Sequence, residues 1–255
     1  MDVGPDTPVP SRGPRSGLPI RLSRTVASGA VEAIGWRYLL DALATSVPVS
    51  SFDRAVRVAS SAVTACGRSA DQHLRVDLRP DRVEISLQTR AIAGVTDVDV
   101  ELARAISAAV RQLDAVTGGA TSSQWPTGDD AARPVQSLEV AIDALDIPAI
   151  RPFWLAVLAY VEVPDGAENA IADPVGQLPA VWFQQMDAPR PQRNRVHFDI
   201  TVAHDEAQAR VQRAIEAGGV LVDESHARSF WVLADAEGNE VCVCTWTDRD
   251  EREPT

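Results

Sequence analysis

The segment 195–201 alternates between polar and apolar residues, and its polar positions carry side chains suited to acid/base chemistry. Arg195, His197 and Asp199 fall on one side of this predicted strand. Because strand side chains point alternately to opposite faces, the apolar side would pack on a helix and the polar side would face the open surface of a sheet. A carboxylate beside an imidazole forms a pair that can exchange protons near neutral pH. We predict His197 as acid or base, Asp199 as its partner and Arg195 as the group that orients an oxyanion or carboxylate.

Three more segments of the C-terminal half alternate in the same way, namely 138–145, 181–186 and 240–246. The polar sides of all four segments would line one concave face, which we call the cup. Glu240 is an alternative partner for His197, and two tryptophans would wall an aromatic or heterocyclic substrate. The predicted substrate-binding residues are Glu139, Asp143, Trp182, Gln184, Cys242 and Trp246.

A purely structural role for the same residues is the alternative. Arg195 would then pair with Asp199 or Glu139 in a satisfied ion network, as is common inside folded domains. Cys242 would be inert packing rather than a nucleophile.

The elements that position the cup occur twice. Each copy reads as a strand, a helix, a strand that ends at an aspartate, and a closing strand, and Ala141 aligns with His197 at an offset of about 56 residues. This self-similarity predicts two βαβββ modules in residues 135–248. The predicted helices are 148–160 and 205–217.

The N-terminal block, residues 28–116, predicts a strand near 36–43, a helix that ends near Gly67, a hairpin and a second helix. In the hairpin, Val83, Ile85, Leu87 and Thr89 alternate, and the sequence from Thr96 to Asp99 caps the second helix. We expect the first helix to bury one apolar face, made of Phe52, Val56, Ala59 and Val63. The fold class is therefore α+β, with the helices on one side of the sheet.

Composition restricts the partners. The chain has 255 residues and a formal net charge of -12, which argues against nucleic acid or an anionic membrane. The sequence has no lysine, so Schiff-base and phosphate-loop lysines are excluded. No apolar run is long enough to cross a bilayer, and the three cysteines form no disulfide framework or CxxC pair, so we expect a cytoplasmic protein. We interpret 1–27 as a disordered arm, 117–134 as a linker and 249–255 as a charged tail.

Residues 30–110 resemble the pterin-4a-carbinolamine dehydratases. That family has a His-His-Pro motif, a Thr/Ser-His after a hairpin, a Gly-Leu-Ser/Thr and an aspartate before the last helix. The matching positions here read Gln72-His73-Leu74, Thr89-Arg90, Gly94-Val95-Thr96 and Asp97-Val98-Asp99. The resemblance implies an α/β sandwich that assembles into a homo-oligomer.

This dehydratase site is degenerate. Of the family's three catalytic histidines only His73 remains, since Gln72 cannot titrate and Arg90 only donates hydrogen bonds. Each lost acid or base costs about 10²–10⁴-fold in rate. Three outcomes stay open: residual 4a-hydroxytetrahydrobiopterin dehydratase activity, a pocket in which Arg90 binds an anion, and a domain that serves only for assembly.

Residues 137–246 resemble glyoxalase-like domains of the vicinal oxygen chelate superfamily. The motifs are 153–158, 182–185, 193–199 and 233–240. Metal sites in that superfamily take ligands from the first and fourth strand of each module. Ala141 occupies one such position, and His197, Cys242 and Gln184 make a poor set, so a divalent metal is disfavoured and we expect no cofactor.

Together these features predict a small-molecule lyase or isomerase of specialised metabolism. It would catalyse dehydration, rearrangement or cyclisation by metal-independent acid/base chemistry in the cup. A non-catalytic protein that binds a pterin-like or natural-product ligand is the alternative.

Overall fold

The computed structural model describes residues 19–118, 135–163, 169–189 and 196–248, in two compact units, 1–135 and 136–255. Most of the predicted arm and linker and all of the predicted tail lie outside the described residues, and so does Arg195. Within the part that the structure describes, no helix is long and apolar enough to cross a membrane.

The first unit is a four-stranded antiparallel sheet in the order β1-β2-β4-β3 with helices packed on it. Its elements are α1 (Arg24–Val31), β1 (Arg37–Leu39), β2 (Ala42–Pro48), α2 (Phe52–Cys66), α3 (Ala70–His73), β3 (Leu74–Leu78), β4 (Arg82–Leu87) and α4 (Asp97–Arg111). The alternation predicted for the hairpin is confirmed, because Val83, Ile85 and Leu87 are all buried.

The folded chain begins earlier than expected. The predicted arm extends to residue 27, but α1 starts at Arg24 after Ser23, whose side chain accepts a hydrogen bond from the amide of Val26. Ala27 and Val31 are fully buried in the core of the unit. The N-terminal cap and the packing of these two residues stabilise the helix. The proline-rich composition of residues 1–27 gives no sign of either.

The buried face of α2 also differs from the prediction. Three of its predicted core residues, Phe52, Val56 and Val63, are about half exposed. The residues that face the core are instead Ala55, Val58, Ala62 and Cys66. The helix has two apolar faces, and the face with the smaller side chains lies against α4 and the sheet, where the backbones approach closely.

The second unit confirms the duplication. Its first module contains β5 (Glu139–Ala144), α5 (Ile147–Leu158), β6 (Val161–Glu162), β7 (Ala170–Ala172) and β8 (Ala180–Gln185). Its second contains β9 (Phe198–Thr201), α6 (Ala207–Glu216), β10 (Val220–Asp223), β11 (Phe230–Ala234) and β12 (Glu240–Cys244). The two sheets have the same order, β5-β8-β7-β6 and β9-β12-β11-β10, and in each the first strand runs parallel to the last.

The aspartates that close the third strand of each module organise equivalent loops. Asp173 accepts hydrogen bonds from the amides of Val175, Gln177 and Leu178. Burial acts to raise the pKa of Asp173, but these backbone N–H groups outweigh it and hold the pKa below its usual value. Asp235 accepts from the amides of Glu237 and Asn239 in the same way.

Candidate functional sites

The first unit contains an imidazole–carboxylate pair in which the carboxylate is fully buried and the imidazole largely so. Nδ1 of His73 lies 2.8 Å from Oδ1 of Asp99, and the two side chains are 11% and 0% exposed. A carboxylate accepts hydrogen bonds, so Nδ1 of His73 is the donor in this contact and Nε2 is left for another partner. The contact with the carboxylate therefore fixes the orientation of the ring.

The position of Asp99 follows from the local sequence. It is the third residue of α4 and forms a capping box with Thr96, whose amide donates to Oδ2 at 2.8 Å. The hydroxyl of Thr89, which follows β4, donates to the same oxygen at 2.7 Å. The sequence predicted the cap but missed that its carboxylate also holds His73; the dehydratase-like position of Asp99 is the signal that could have shown this.

Gln72 and Arg90 are exposed. They occupy the positions at which the dehydratase pattern has its other two histidines. The Arg90 guanidinium donates to the carbonyl oxygen of Leu74 at 3.1 Å, one residue after His73. Gln72 lies beside His73 on α3. Only His73 among these three residues can transfer a proton near neutral pH.

A strap from the N-terminal segment supports the loop that carries Thr89. The backbone amide of Leu22 donates a hydrogen bond to the carbonyl of Val95 at 2.8 Å. The Arg21 guanidinium donates to the carbonyl of Ala93 at 3.2 Å and forms an ion pair with Asp41 at 3.1 Å.

Asp41 also affects Tyr38. Burial and the hydrogen bond to Asp41 raise the pKa of Tyr38 to about 12.

In the second unit the paired strands place predicted cup residues side by side. Asp199 is directly opposite Cys242 across β9 and β12, and Asp143 is opposite Gln184 across β5 and β8. Apolar neighbours of these residues, such as Ile142, Phe183 and Val241, are buried on the other face.

A cavity of about 680 Å³ lies between residues of the two modules. Asp143 and Glu240, two of the predicted cup residues, line it together with Trp154, Met186 and Phe198. Small-molecule sites typically have volumes of about 300–1,000 Å³ and mix apolar walls with a few polar groups, as this cavity does.

Two contacts fix the wall of this cavity between the modules. The Trp154 indole donates to Oδ2 of Asp235 at 2.9 Å. The Glu237 carboxylate accepts from the amides of Leu145 and Asp146, at 2.9 Å and 2.7 Å, where β5 leads into α5.

The predicted catalytic pair is outside this cavity and open to solvent. Nε2 of His197 lies 3.4 Å from Oδ1 of Asp199, and the side chains are 60% and 57% exposed. The two side chains therefore do not line this cavity together with Asp143 and Glu240, because no part of the described chain covers that end of β9. Their catalytic role stays a prediction.

Cys242 lies beside this pair and is only 9% exposed. Burial, together with the negative charge of Asp199 and a hydrogen bond to it, raises the pKa of the Cys242 thiol to about 12. The thiol is therefore protonated at neutral pH and is a poor nucleophile without a further partner.

The remaining predicted substrate-binding residues do not meet around the cavity. Glu139 and Gln184 are exposed and Trp182 is half-buried on the first module. Trp246 follows β12, is largely exposed, and contacts the ring of His204 edge-on at 5.3 Å. None of these residues lines the cavity described above.

Comparison with known families assigns each unit. A family model described as "Pterin 4 alpha carbinolamine dehydratase" matches residues 21–109, and one described as "Glyoxalase-like domain" matches residues 139–244. The two matches follow one another along the chain. We therefore refer to a dehydratase-like region and a glyoxalase-like region.

Solved structures match each region separately. A transcriptional coactivator/pterin dehydratase from Brucella melitensis is 26% identical, with the match covering 35% of this chain and 98% of that chain at a TM-score of 0.32. A glyoxalase/bleomycin resistance protein from Albidiferax ferrireducens is 16% identical over 42% and 95%, at a TM-score of 0.34. The fosfomycin resistance protein FosX from Mesorhizobium loti is 14% identical over 46% and 99%, at 0.36. No curated protein matches the chain.

The glyoxalase-like region does not fit a metal held by both modules. The first-strand position of the first module is Ala141, which has no donor atom, and its fourth-strand partner Trp182 offers none suited to a divalent ion. At the two positions compared, the first module therefore offers no donor suited to a divalent ion, and no step of the proposed chemistry involves a metal shared between the modules.

Proposed function

We propose that the protein is a small-molecule lyase in which His73 of the dehydratase-like region transfers the proton. The observation that carries this proposal is the buried His73–Asp99 pair, in which a carboxylate with three donors fixes the imidazole. A general base must first be held within hydrogen-bond reach of the proton that it removes, and its pKa matters only after that geometry is met.

The reaction is the dehydration of a carbinolamine. The substrate's C–O bond breaks, hydroxide leaves, and a carbon–nitrogen double bond forms. Nε2 of His73 takes the proton from nitrogen and returns it to the hydroxide, so the products are an imine and water. The histidine is restored at the end of each turnover.

Gln72 and Arg90 change the rate rather than the reaction. Each replaces a titratable group with one that only forms hydrogen bonds near neutral pH, and each missing acid or base lowers the rate by about 10²–10⁴-fold. We expect slow dehydration, with Arg90 orienting an anionic or carbonyl group of the substrate.

The test is dehydration of a 4a-hydroxytetrahydropterin by the full-length protein. We expect His73→Ala to lower turnover by about 10²–10⁴-fold. His204→Ala, which removes an exposed histidine of the other region, is the matched control and should keep the rate. Absence of turnover in the unmodified protein, or full turnover in His73→Ala, would refute the proposal.

A second candidate function is ligand binding in the glyoxalase-like cavity. Its size and its mixture of carboxylates with Trp154 and Phe198 suit a flat organic molecule. Ala141→Trp would place a bulky side chain in the cavity and obstruct it, so calorimetric titration with a reduced pterin or an aromatic natural product should give binding that this variant loses. Equal affinity in both proteins would count against the cavity.

We also propose that the protein assembles into a homo-oligomer through α2. Phe52, Val56 and Val63 form an exposed apolar stripe along this helix. Contiguous apolar surface of this kind commonly marks an interface.

A further inference from the structure

Three metal-binding side chains of different chemistry meet on the second module of the glyoxalase-like region. His197 directly precedes β9, and Asp199 follows two residues later, so both point to the same side. The parallel register of β9 and β12 places Cys242 opposite Asp199. The fold thus brings a nitrogen, an oxygen and a sulfur donor to one face.

The spacing of these donors is close to that of a tetrahedral site. One donor atom from each of His197, Asp199 and Cys242 lies within 4.8 Å of the others. The nitrogen and oxygen are 3.4 Å apart. Bonds of about 2.0–2.3 Å to zinc in a tetrahedron place ligand atoms about 3.3–3.7 Å apart, so the distances to the sulfur need to shorten by no more than about an ångström.

Exposure permits that adjustment. The His197 and Asp199 side chains are more than half exposed and can rotate toward the sulfur, which is fixed at the base of the cluster by its strand. The open side leaves a position for water, as in zinc sites with three protein ligands.

We propose that His197, Asp199 and Cys242 bind a single zinc-like divalent cation within the second module alone. A thiolate with an imidazole and one carboxylate favours zinc or cobalt over magnesium and calcium, which prefer six or more oxygen ligands. A site shared by the two modules lacks a donor at Ala141. Asp199 supplies that donor from the second module instead. This inference does not depend on the proposed dehydratase chemistry.

The test is titration of the chelator-treated full-length protein with Co²⁺ and Zn²⁺, followed by calorimetry and optical absorption. We expect one ion per chain and a thiolate-to-cobalt charge-transfer absorption, and no comparable binding of Mg²⁺. Cys242→Ser should abolish the charge-transfer absorption. Asp199→Asn should keep that absorption but weaken binding by at least about tenfold, since even outer partners of metal ligands cost about 10–100-fold.

Matched controls separate this site from adventitious binding. Cys244→Ser changes the neighbouring cysteine of β12, and His204→Ala changes an exposed histidine close to β9 in the chain, and both should bind as the unmodified protein does. Circular dichroism establishes that each variant is folded. A charge-transfer absorption that survives Cys242→Ser, or affinity unchanged in Asp199→Asn, would overturn the proposal, as would cobalt binding without sulfur coordination.

Discussion

Each region of the protein has a histidine beside an aspartate, but the two pairs differ in separation, burial and neighbouring groups. His73 and Asp99 are 2.8 Å apart and buried, and backbone and hydroxyl donors surround the carboxylate. His197 and Asp199 are 3.4 Å apart and exposed, with a cysteine as their neighbour.

The difference shows that residue type alone does not assign chemistry. Burial of the Asp99 carboxylate strengthens its hydrogen bond to His73, because water does not compete for that acceptor. Solvent weakens the interaction of His197 with Asp199, so that pair is better suited to meet an incoming ion than to act as an oriented base.

The largest expected effect is a gain of dehydratase activity. The double substitution Gln72→His with Arg90→His restores two proton-transfer groups next to the buried pair. We expect turnover of a carbinolamine to rise by about 10²–10⁴-fold for each group that engages the substrate. The measurement is the initial rate, and the same double substitution combined with His73→Ala should show little of the gain.

The next effect is on stability. Asp99→Ala leaves the amide of Thr96, the hydroxyl of Thr89 and the imidazole of His73 without their acceptor. We expect the free energy of unfolding of the dehydratase-like region to fall by about 3–5 kcal/mol in urea denaturation. Asp199→Ala removes an exposed partner and should change the stability of its own region by about 0.5 kcal/mol or less. If Asp99→Ala and Asp199→Ala lowered the free energy of unfolding by similar amounts, the two aspartates would not differ as proposed.

A smaller effect concerns pH. The pKa of Cys242 is about 12, first because of burial and then because of the charge of Asp199, so thiolate is scarce below that pH. Asp199→Asn should lower this pKa and raise the rate of iodoacetamide alkylation at pH 8–9, by about tenfold per pKa unit. The assay uses metal-free protein with Cys66 and Cys244 replaced by serine. Glu224→Gln, an exposed change elsewhere, should leave the rate unaltered.

The smallest effect is on assembly. Val56→Glu places a charge in the exposed stripe of α2 and should weaken self-association by about tenfold or more, measured by light scattering across a concentration series. Val222→Glu, on the edge strand β10 of the glyoxalase-like region, is the control. If Val222→Glu caused dissociation and Val56→Glu did not, the interface would lie on the glyoxalase-like region instead of on α2.

Local patterns in the sequence were sufficient for most elements. The capping residues before α4 and the alternation in β4, β5 and β12 depend on neighbours in the chain, so their elements could be predicted. The buried face of α2 could not, because both of its faces are apolar and only packing against α4 and the sheet selects the alanine-rich one.

The candidate sites divide in the same way. The sequence itself determined the two domains, the duplication and the side of each strand on which His197, Asp199 and Cys242 lie, since these follow from residue spacing of 2 along a strand. Only the tertiary structure decided that Asp99 buries its carboxylate against His73 while Asp199 stays in solvent. Burial depends on what packs over a side chain from distant parts of the chain, and no local pattern contains that information.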